Sequence, residues 1–323
     1  MESKVKKIGV LTSGGDAPGM NAAIRAVVRA ACAKGIEVVG VRRGYAGLIA
    51  GDIIPMDARD VSNILQAGGT ALFSARSKEF CTEEGLQKAV DVCHEIGIEG
   101  LVVIGGDGSF RGAGELSARG IPCVGVPATI DNDISSTDYT IGFDTCINCV
   151  VDMVDRIRDT MRSHERCSVV EVMGRHAGYV ALHAGIATGA TFVMVPEIPC
   201  SVVDVIKKIE EGRRYGKTNF IIIVAEGVGH AEELSRYIQD TTGIVTRATI
   251  LGHVQRGGSP TSRDRVLASQ YGNLAVDLLA EGKSNRVVGI KNDTLVDYDL
   301  HEALAMKKEF PMNLYGMSEI VSI

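Results

Sequence analysis

The run Pro127-Ala128-Thr129-Ile130-Asp131-Asn132-Asp133 sets two carboxylates two residues apart, flanked by Thr and Asn. Like charges this close repel, so the run does little for stability. It is well suited to taking a proton from an attacking hydroxyl and to hydrogen-bonding a sugar. On spacing alone, Asp131 and Asp133 are equally eligible as the base. Two glycine-rich runs accompany it: Thr12-Ser13-Gly14-Gly15-Asp16-Ala17-Pro18-Gly19-Met20-Asn21 and Gly105-Gly106-Asp107-Gly108-Ser109. Glycines let a backbone pass close to a phosphate, and a helix N-terminus offers N–H donors and a positive dipole end. Asp107 adds a carboxylate that could hold Mg²⁺, which binds phosphates through one or two carboxylates and several waters. A tight βα turn would explain one such run; two in a single chain are hard to explain as turns alone.

A basic group completes the inventory. Arg166, Arg175, Arg247, His253 and Arg256 all fall near expected strand ends or turns. Guanidinium forks match phosphate oxygens bidentately. Any one of them alone reads as a surface salt bridge, but the string Gly252-His253-Val254-Gln255-Arg256-Gly257-Gly258-Ser259-Pro260 is less easily dismissed. Phosphoryl transfer needs positioning, charge neutralisation and a carboxylate at the nucleophile. The glycine turns, Asp107 and the acidic run supply those parts. Gly212-Arg213-Arg214-Tyr215-Gly216-Lys217-Thr218 is a decoy. It has one residue too few between its glycines for a P-loop, and it follows a helix and precedes a strand, the reverse of P-loop order.

The elements that must position these residues alternate along the chain. Apolar runs predict strands at Ile8–Leu11, Glu37–Val41, Leu101–Ile104, Pro122–Val126, Ser168–Val172, Thr191–Val195, Phe220–Ala225 and Arg286–Ile290. They are continuous rather than alternating, as in parallel sheets buried on both faces. A helix is expected from Pro18 to Lys34, with Pro near its first turn. Phe143, Ile147, Val150, Val154, Ile157 and Met161 recur at helical spacing and read as one core-facing stripe. The expected fold class is therefore α/β, with two doubly wound, mostly parallel-sheet lobes and ligands at the carboxyl ends of the strands. The loop from Asp131 to Thr140 suggests a boundary near residue 140.

Composition narrows the alternatives. The 323 residues are 45% hydrophobic and 23% charged, ordinary for a globular protein. A net charge of −6 and the lack of a Lys/Arg-rich block argue against a dedicated nucleic-acid binder. No apolar run approaches the roughly 20 residues that a membrane span needs. The N-terminal MESKVKK does not read as a signal peptide, so a cytoplasmic location is expected. The eight cysteines are expected to be reduced thiols. Cys146-x-x-Cys149 stands without a second pair or a nearby His and reads as buried helical cysteines.

Over essentially its whole length the chain resembles the bacterial ATP-dependent 6-phosphofructokinases. The resemblance is carried by GVLTSGGDAPGMNAAIR (Gly9–Arg25), GGT (Gly68–Thr70), SAR (Ser74–Arg76), VVIGGDGS (Val102–Ser109) and TIDND (Thr129–Asp133), with YTIGFDT (Tyr139–Thr145), VVEVMGRHAG (Val169–Gly178), VPE (Val195–Glu197) and RATILGHVQRGGSP (Arg247–Pro260). It implies transfer of the ATP γ-phosphoryl group to the 1-hydroxyl of fructose 6-phosphate. By position it makes Asp131 the base and puts Gly15, Arg76, Ser77, Gly106, Gly108 and Ser109 at ATP, with Asp107 on Mg²⁺. Thr129, Asp133, Arg175 and Arg76 would hold the reacting groups, and Thr129, Ile130 and Asp131 would meet the substrate. Met173, Gly174 and Glu226 would contact the sugar; Arg166, Arg247, His253 and Arg256 would bind chiefly its 6-phosphate. Family members place the residues matching Arg166 and Arg247 in a neighbouring subunit's site, which implies a homotetramer. The lobes would be 1–141 plus about 255–306 for ATP, and 142–254 plus about 307–323 for fructose 6-phosphate.

Two positions bear on the donor. Pyrophosphate-using relatives carry Asp where this chain has Gly108 and Lys where it has Ala128, so ATP is favoured. Arg25, Arg29, Arg158 and Lys217 match positions that bind an ADP or phosphoenolpyruvate effector, but Ala58, Thr191, Tyr215 and Asn219 depart from the pattern, so weakened or altered allostery is expected. The rivals are a pyrophosphate-dependent enzyme, a kinase of the NAD or lipid class sharing Gly-Gly-Asp-Gly, and a non-catalytic regulatory subunit.

Overall fold

A computed structural model describes residues 3–322. Met1 and Glu2, at the start of the first expected lobe, and Ile323, at the end of the second, lie outside the described residues. Strand and helix alternate: β1 (Lys7–Thr12), α1 (Met20–Ala33), β2 (Glu37–Val41), α2 (Gly44–Ala50), β3 (Ile53–Met56), α3 (Glu83–Ile96), β4 (Gly100–Gly105), α4 (Asp107–Ala118), β5 (Cys123–Pro127), α5 (Phe143–His164) and β6 (Cys167–Val172). There follow α6 (Tyr179–Ala187), β7 (Phe192–Met194), α7 (Val202–Arg214), β8 (Phe220–Ala225), α8 (Ala231–Thr242), β9 (Thr246–Ile250), α9 (Ser262–Ala280), β10 (Arg286–Lys291), β11 (Thr294–Asp299), α10 (Leu300–Ala305) and α11 (Met312–Val321). By internal contacts the chain divides into two compact units: Met1–Ile130 with Ile134–Thr145 and Arg256–Lys308, and Asp131–Asp133 with Cys146–Gln255 and Glu309–Ile323.

The first unit holds a seven-stranded sheet in the order β11-β10-β5-β4-β1-β2-β3. Its central pairs are parallel, and β3 and β11 close the edges antiparallel. From β1 the chain goes to β2 on one side and to β4 on the other. The gap between β1 and β4 is thus the topological switch point where a doubly wound sheet binds ligands. Thr12 lies opposite Ile104 there, so both glycine runs leave the sheet side by side. Every residue of β4 is buried, and burying each large aliphatic side chain contributes about 1.5–3 kcal/mol.

The second unit holds a four-stranded, all-parallel sheet in the order β7-β8-β6-β9. Phe220, Ile222 and Val224 of β8 pack with Val205 and Ile209 of α7 and with Leu234 and Ile238 of α8. Both sheets are of the expected mixed α/β, mostly parallel kind.

Local differences from the expectations have physical reasons. β3, β9 and β11 were not anticipated; all are sheet edges, partly exposed, and so need no continuous apolar run. β3 also carries Pro55, tolerated at an edge where its missing N–H leaves no ladder partner orphaned. α1 starts at Met20, because Gly19 at its N-cap is left-handed (φ 103°), which leaves Pro18 outside the helix. In the α5 stripe Phe143, Val150, Val154 and Met161 are buried, while Ile147 and Ile157 are half-buried. Cys146 is buried as expected, but Cys149 is only half-buried. All eight cysteines are free thiols. The P-loop-like run is the end of α7 and the turn into β8. Among the described residues no helix is long and apolar enough to cross a membrane.

Candidate active site

In the first unit, the turns after β1 and β4 are clamped together. Ser13 N–H donates to Ile104 O at 2.9 Å, and Ser109 Oγ donates to Ser13 O at 3.1 Å. A side chain at Gly105 would put a Cβ 2.5 Å from both Ser13 O and Ser109 Oγ, so that glycine serves the clamp. Gly15 serves a different neighbour: its Cβ would lie 2.8 Å from Arg256 Nη1, which donates to Asp16 O at 3.0 Å. Gly106 and Gly108 are another matter. A Cβ at either would meet no protein atom within 4 Å, and neither has a positive φ. Gly108 is the second residue of α4, where Gly is about 1 kcal/mol worse than Ala. No neighbouring protein atom requires a bare backbone at Gly108.

Asp107 opens α4 beside those glycines and is half-buried. Among the described residues no group of three or more His, Cys, Asp or Glu side chains is placed to hold a metal. An ion held by one carboxylate and by phosphate oxygens needs no such group, so Asp107, with ligand space beside it, fits that role. Arg76 is exposed on the loop between β3 and α3. Ser74 Oγ donates to Gly14 O at 2.6 Å and pins this loop to the first turn, and Ser77 Oγ accepts from Phe80 N–H at 3.1 Å. Tyr45, unnoticed in the sequence, stacks on Phe80 at 3.9 Å and donates to Ser109 O at 2.5 Å. Burial pushes its phenol well above the ordinary value.

The strand β5 then feeds the acidic run. Ala128 N–H donates to Gly105 O at 2.9 Å, and Thr140 Oγ1 donates to Thr129 O at 2.6 Å, closing the loop at its base. Thr129 is half-buried and Ile130 buried. Asp264, in the first turn of α9, holds the far end: it accepts from Gly142 N–H and Thr145 N–H, both at 2.9 Å, and from Thr145 Oγ1 at 2.5 Å. Burial raises the Asp264 carboxyl above its ordinary value even though these bonds pull it down.

In the second unit, Asp131 is 2% exposed, and its Oδ2 lies 3.7 Å from Arg175 Nε. Asn132 between the two acids is left-handed (φ 52°), and Asp133 is half-buried. Arg175 sits in the turn after β6 with φ 55°, next to Gly174 at φ 143°. A β-carbon at Gly174 would lie 2.5 Å from Ala177 O. Glu226, after β8, accepts from Gly174 N–H at 3.1 Å and Arg175 N–H at 2.5 Å through Oε1. Met173 N–H goes to Gln255 Oε1 at 3.1 Å. His253 is exposed on the 3₁₀ turn Gly252–Arg256 that follows β9.

The basic group divides. Arg175 and His253 follow the carboxyl ends of β6 and β9, as Glu226 follows that of β8. Arg166 precedes β6, and Arg247 is the second residue of β9, opposite Ser168, so both lie at the amino ends. At about 3.3 Å per residue the two ends of β6 are about 16–20 Å apart. Arg256 stands with the first unit, on the Gly15–Asp16 turn.

The effector candidates form two pairs. Arg25 and Arg29 share α1, and Arg29 Nη2 donates to Ala58 O at 3.4 Å. Arg158 donates to Thr188 O, and Lys217 Nζ to Ser322 O at 2.9 Å. Burial, then Arg158, then Lys208 lower the Lys217 ammonium. Thr191 is buried, and its hydroxyl accepts from Ile221 N–H at 3.4 Å, so no carboxylate stands there.

A family model described as Phosphofructokinase matches residues 7–279. An ATP-dependent 6-phosphofructokinase of Clostridium tetani is 56% identical over 318 residues, covering 98% of this chain and 100% of the relative. One from Clostridium botulinum (strain Alaska E43 / Type E3) is 55% identical over 319 residues, again 98% and 100%. The structure of phosphofructokinase from Saccharomyces cerevisiae superposes with a TM-score of 0.88 at 37% identity, over 98% of this chain but 48% of that one. That of Pichia pastoris phosphofructokinase in the T-state gives 0.89 at 35%, over 98% and 39%. This chain therefore spans about half or less of those two chains. A pyrophosphate-dependent phosphofructokinase from Marinobacter aquaeolei, at 23% identity and a TM-score of 0.87 over 96% of this chain and 86% of its own, shares the fold.

Proposed function

The chain belongs to the phosphofructokinase family, and we infer that it transfers the γ-phosphoryl group of ATP to the 1-hydroxyl of D-fructose 6-phosphate, giving fructose 1,6-bisphosphate and ADP in the committed step of glycolysis. The observation that carries the reading is Asp131, a buried carboxylate facing Arg175 within a turn whose backbone is held on three consecutive N–H groups.

In this reading the sugar's 1-hydroxyl gives its proton to Asp131 as its oxygen attacks the γ-phosphorus. Arg175 offers positive charge beside the reacting groups, with Thr129, Ile130, Asp133 and Arg76 in support. Glu226 commits Oε1 to the Arg175 turn, which leaves Oε2 for a sugar hydroxyl. Met173 and Gly174 present the edge of the same turn to the sugar. Gly15, Gly106, Gly108, Ser109, Arg76 and Ser77 receive ATP. Asp107 would hold its divalent ion, assigned as Mg²⁺, which would supply neutralisation of phosphate charge. His253 and Arg256 meet the 6-phosphate.

Arg166 and Arg247 lie at the wrong end of their own sheet to share a ligand with Arg175 and His253. That separation supports their acting in a neighbouring copy, in a homotetramer. The bare Gly108 favours ATP over pyrophosphate. A cytoplasmic location accords with a glycolytic role. Thr191, in place of a carboxylate, supports weakened control by ADP or phosphoenolpyruvate through Arg25, Arg29, Arg158 and Lys217. The test is turnover of fructose 6-phosphate by the pure protein with each donor in turn. Activity with ATP and none with pyrophosphate is expected; the reverse would overturn the donor assignment.

A further inference from the structure

Gln255 is fully buried, and both ends of its amide are engaged. Oε1 accepts from Met173 N–H at 3.1 Å, and Nε2 donates to Gly252 O at 3.0 Å. One side chain thus accepts from the turn after β6 and donates into the turn after β9. Among side chains of this length, only an amide or a protonated carboxyl accepts on one side and donates on the other. Two thiols face the same turn: Cys146 Sγ lies 3.9 Å from Gln255 Oε1, and Cys149 Sγ donates to Val254 O at 3.5 Å. The isolated Cys-x-x-Cys pair of α5 therefore has a packing use, since residues three apart share a helix face.

The held turn carries strain. Arg175 is left-handed, which costs a non-glycine residue about 1–2 kcal/mol. A strained turn persists only where its surroundings over-determine it. Here Glu226 takes two of three consecutive N–H groups and Gln255 takes the third. We propose that Gln255 is a positioning residue: its amide locks the Met173–Arg175 turn to the Gly252–Arg256 turn and so sets Arg175 against Asp131 and keeps His253 in register with them. The proposal rests on the reading of Asp131 and Arg175 as the reacting pair. Gln255 itself touches no substrate in this account.

Two variants of the full chain test it. Gln255→Met keeps the length and loses both hydrogen bonds. Gln255→Glu keeps the acceptor, and it regains the donor when protonated, a form that burial favours. The first readout is amide exchange across Met173–Arg175 without substrate. Exchange is expected to quicken about 10-fold or more in Gln255→Met, as the half-buried Met173 N–H loses its acceptor. The second is kinetic. Gln255→Met is expected to lower kcat/KM for fructose 6-phosphate about 10- to 100-fold, while KM for ATP stays within about two-fold. The activity of Gln255→Glu relative to wild type is expected to climb as pH falls from about 8 to about 6, as its carboxyl takes up a proton. Unchanged exchange in a folded Gln255→Met would overturn the proposal, as would KM for ATP rising as steeply as that for fructose 6-phosphate. A flat relative pH profile for Gln255→Glu would overturn it as well. If wild type shows the exchange coupling but no turnover of fructose 6-phosphate, the lock is supported and the functional reading fails.

Discussion

Replacing Gly108 by alanine sets two reasons for that glycine against each other. If the fold needs a bare backbone there, alanine destabilises. If only a nucleotide needs it, alanine stabilises the free protein and harms ATP use. A Cβ at 108 meets no protein atom within 4 Å, and the residue lies in a helix with ordinary backbone angles. Gly→Ala at such a site contributes about 0.5–1 kcal/mol of stability, or about 1–3 °C in Tm for a chain of this size. The same methyl against a phosphate oxygen acts as overpacking, at about 1–3 kcal/mol. That is about a 5- to 150-fold loss in kcat/KM for ATP. Thermal melts of the free protein and initial rates at saturating fructose 6-phosphate measure the two signs. Gly108→Asp adds a charge facing the polyphosphate and is expected to lose more ATP activity than Gly108→Ala. A lowered Tm, or an Ala variant with wild-type kcat/KM for ATP, would refute the reasoning.

Asp264→Ala leaves three donors at the start of α5 without their acceptor and is expected to destabilise by about 2–4 kcal/mol in denaturant titrations. Because burial raises the Asp264 carboxyl, its contribution to stability is full below the unfolded aspartate value and shrinks as pH rises through the folded one. The penalty of Asp264→Ala is thus smaller at neutral than at mildly acidic pH, and a constant penalty would contradict this. Burial pushes the Cys93, Cys123 and Cys167 thiols up to about 12, whereas Cys32 and Cys81 are exposed. A thiol-reactive disulfide should label Cys32 and Cys81 first and reach the other three only on unfolding, as peptide mapping will show. Saturation curves for fructose 6-phosphate with and without ADP or phosphoenolpyruvate should differ by little; a strong shift would contradict the weight given to Thr191.

The central strands were legible because a strand buried on both faces must be apolar throughout, as β4 and β8 are. Partly exposed edge strands carry no such demand, and β3, β9 and β11 escaped for that reason, whereas the edge strand β7 is largely buried and was legible. Missing β9 had a cost at the site. Without its direction, Arg247 and His253 read as one basic group, although they stand at opposite ends of that strand. Glycine runs announce themselves by type, so both glycine turns after β1 and β4 were legible, but only a built Cβ separates Gly105, crowded by Ser13 and Ser109, from Gly108, which no protein atom approaches. Gln255 and Asp264 act through partners 82 and 119 or more residues away, and no local spacing signals such pairs.

Asp131 bears the account's main chemical claim, and Asp131→Ser tests it most directly. Steady-state rates with MgATP and varied fructose 6-phosphate should show kcat falling about 10²–10⁴-fold, the range for loss of a general base, with KM for fructose 6-phosphate little changed. A near-wild-type kcat in that variant would contradict the assignment of Asp131 as the base.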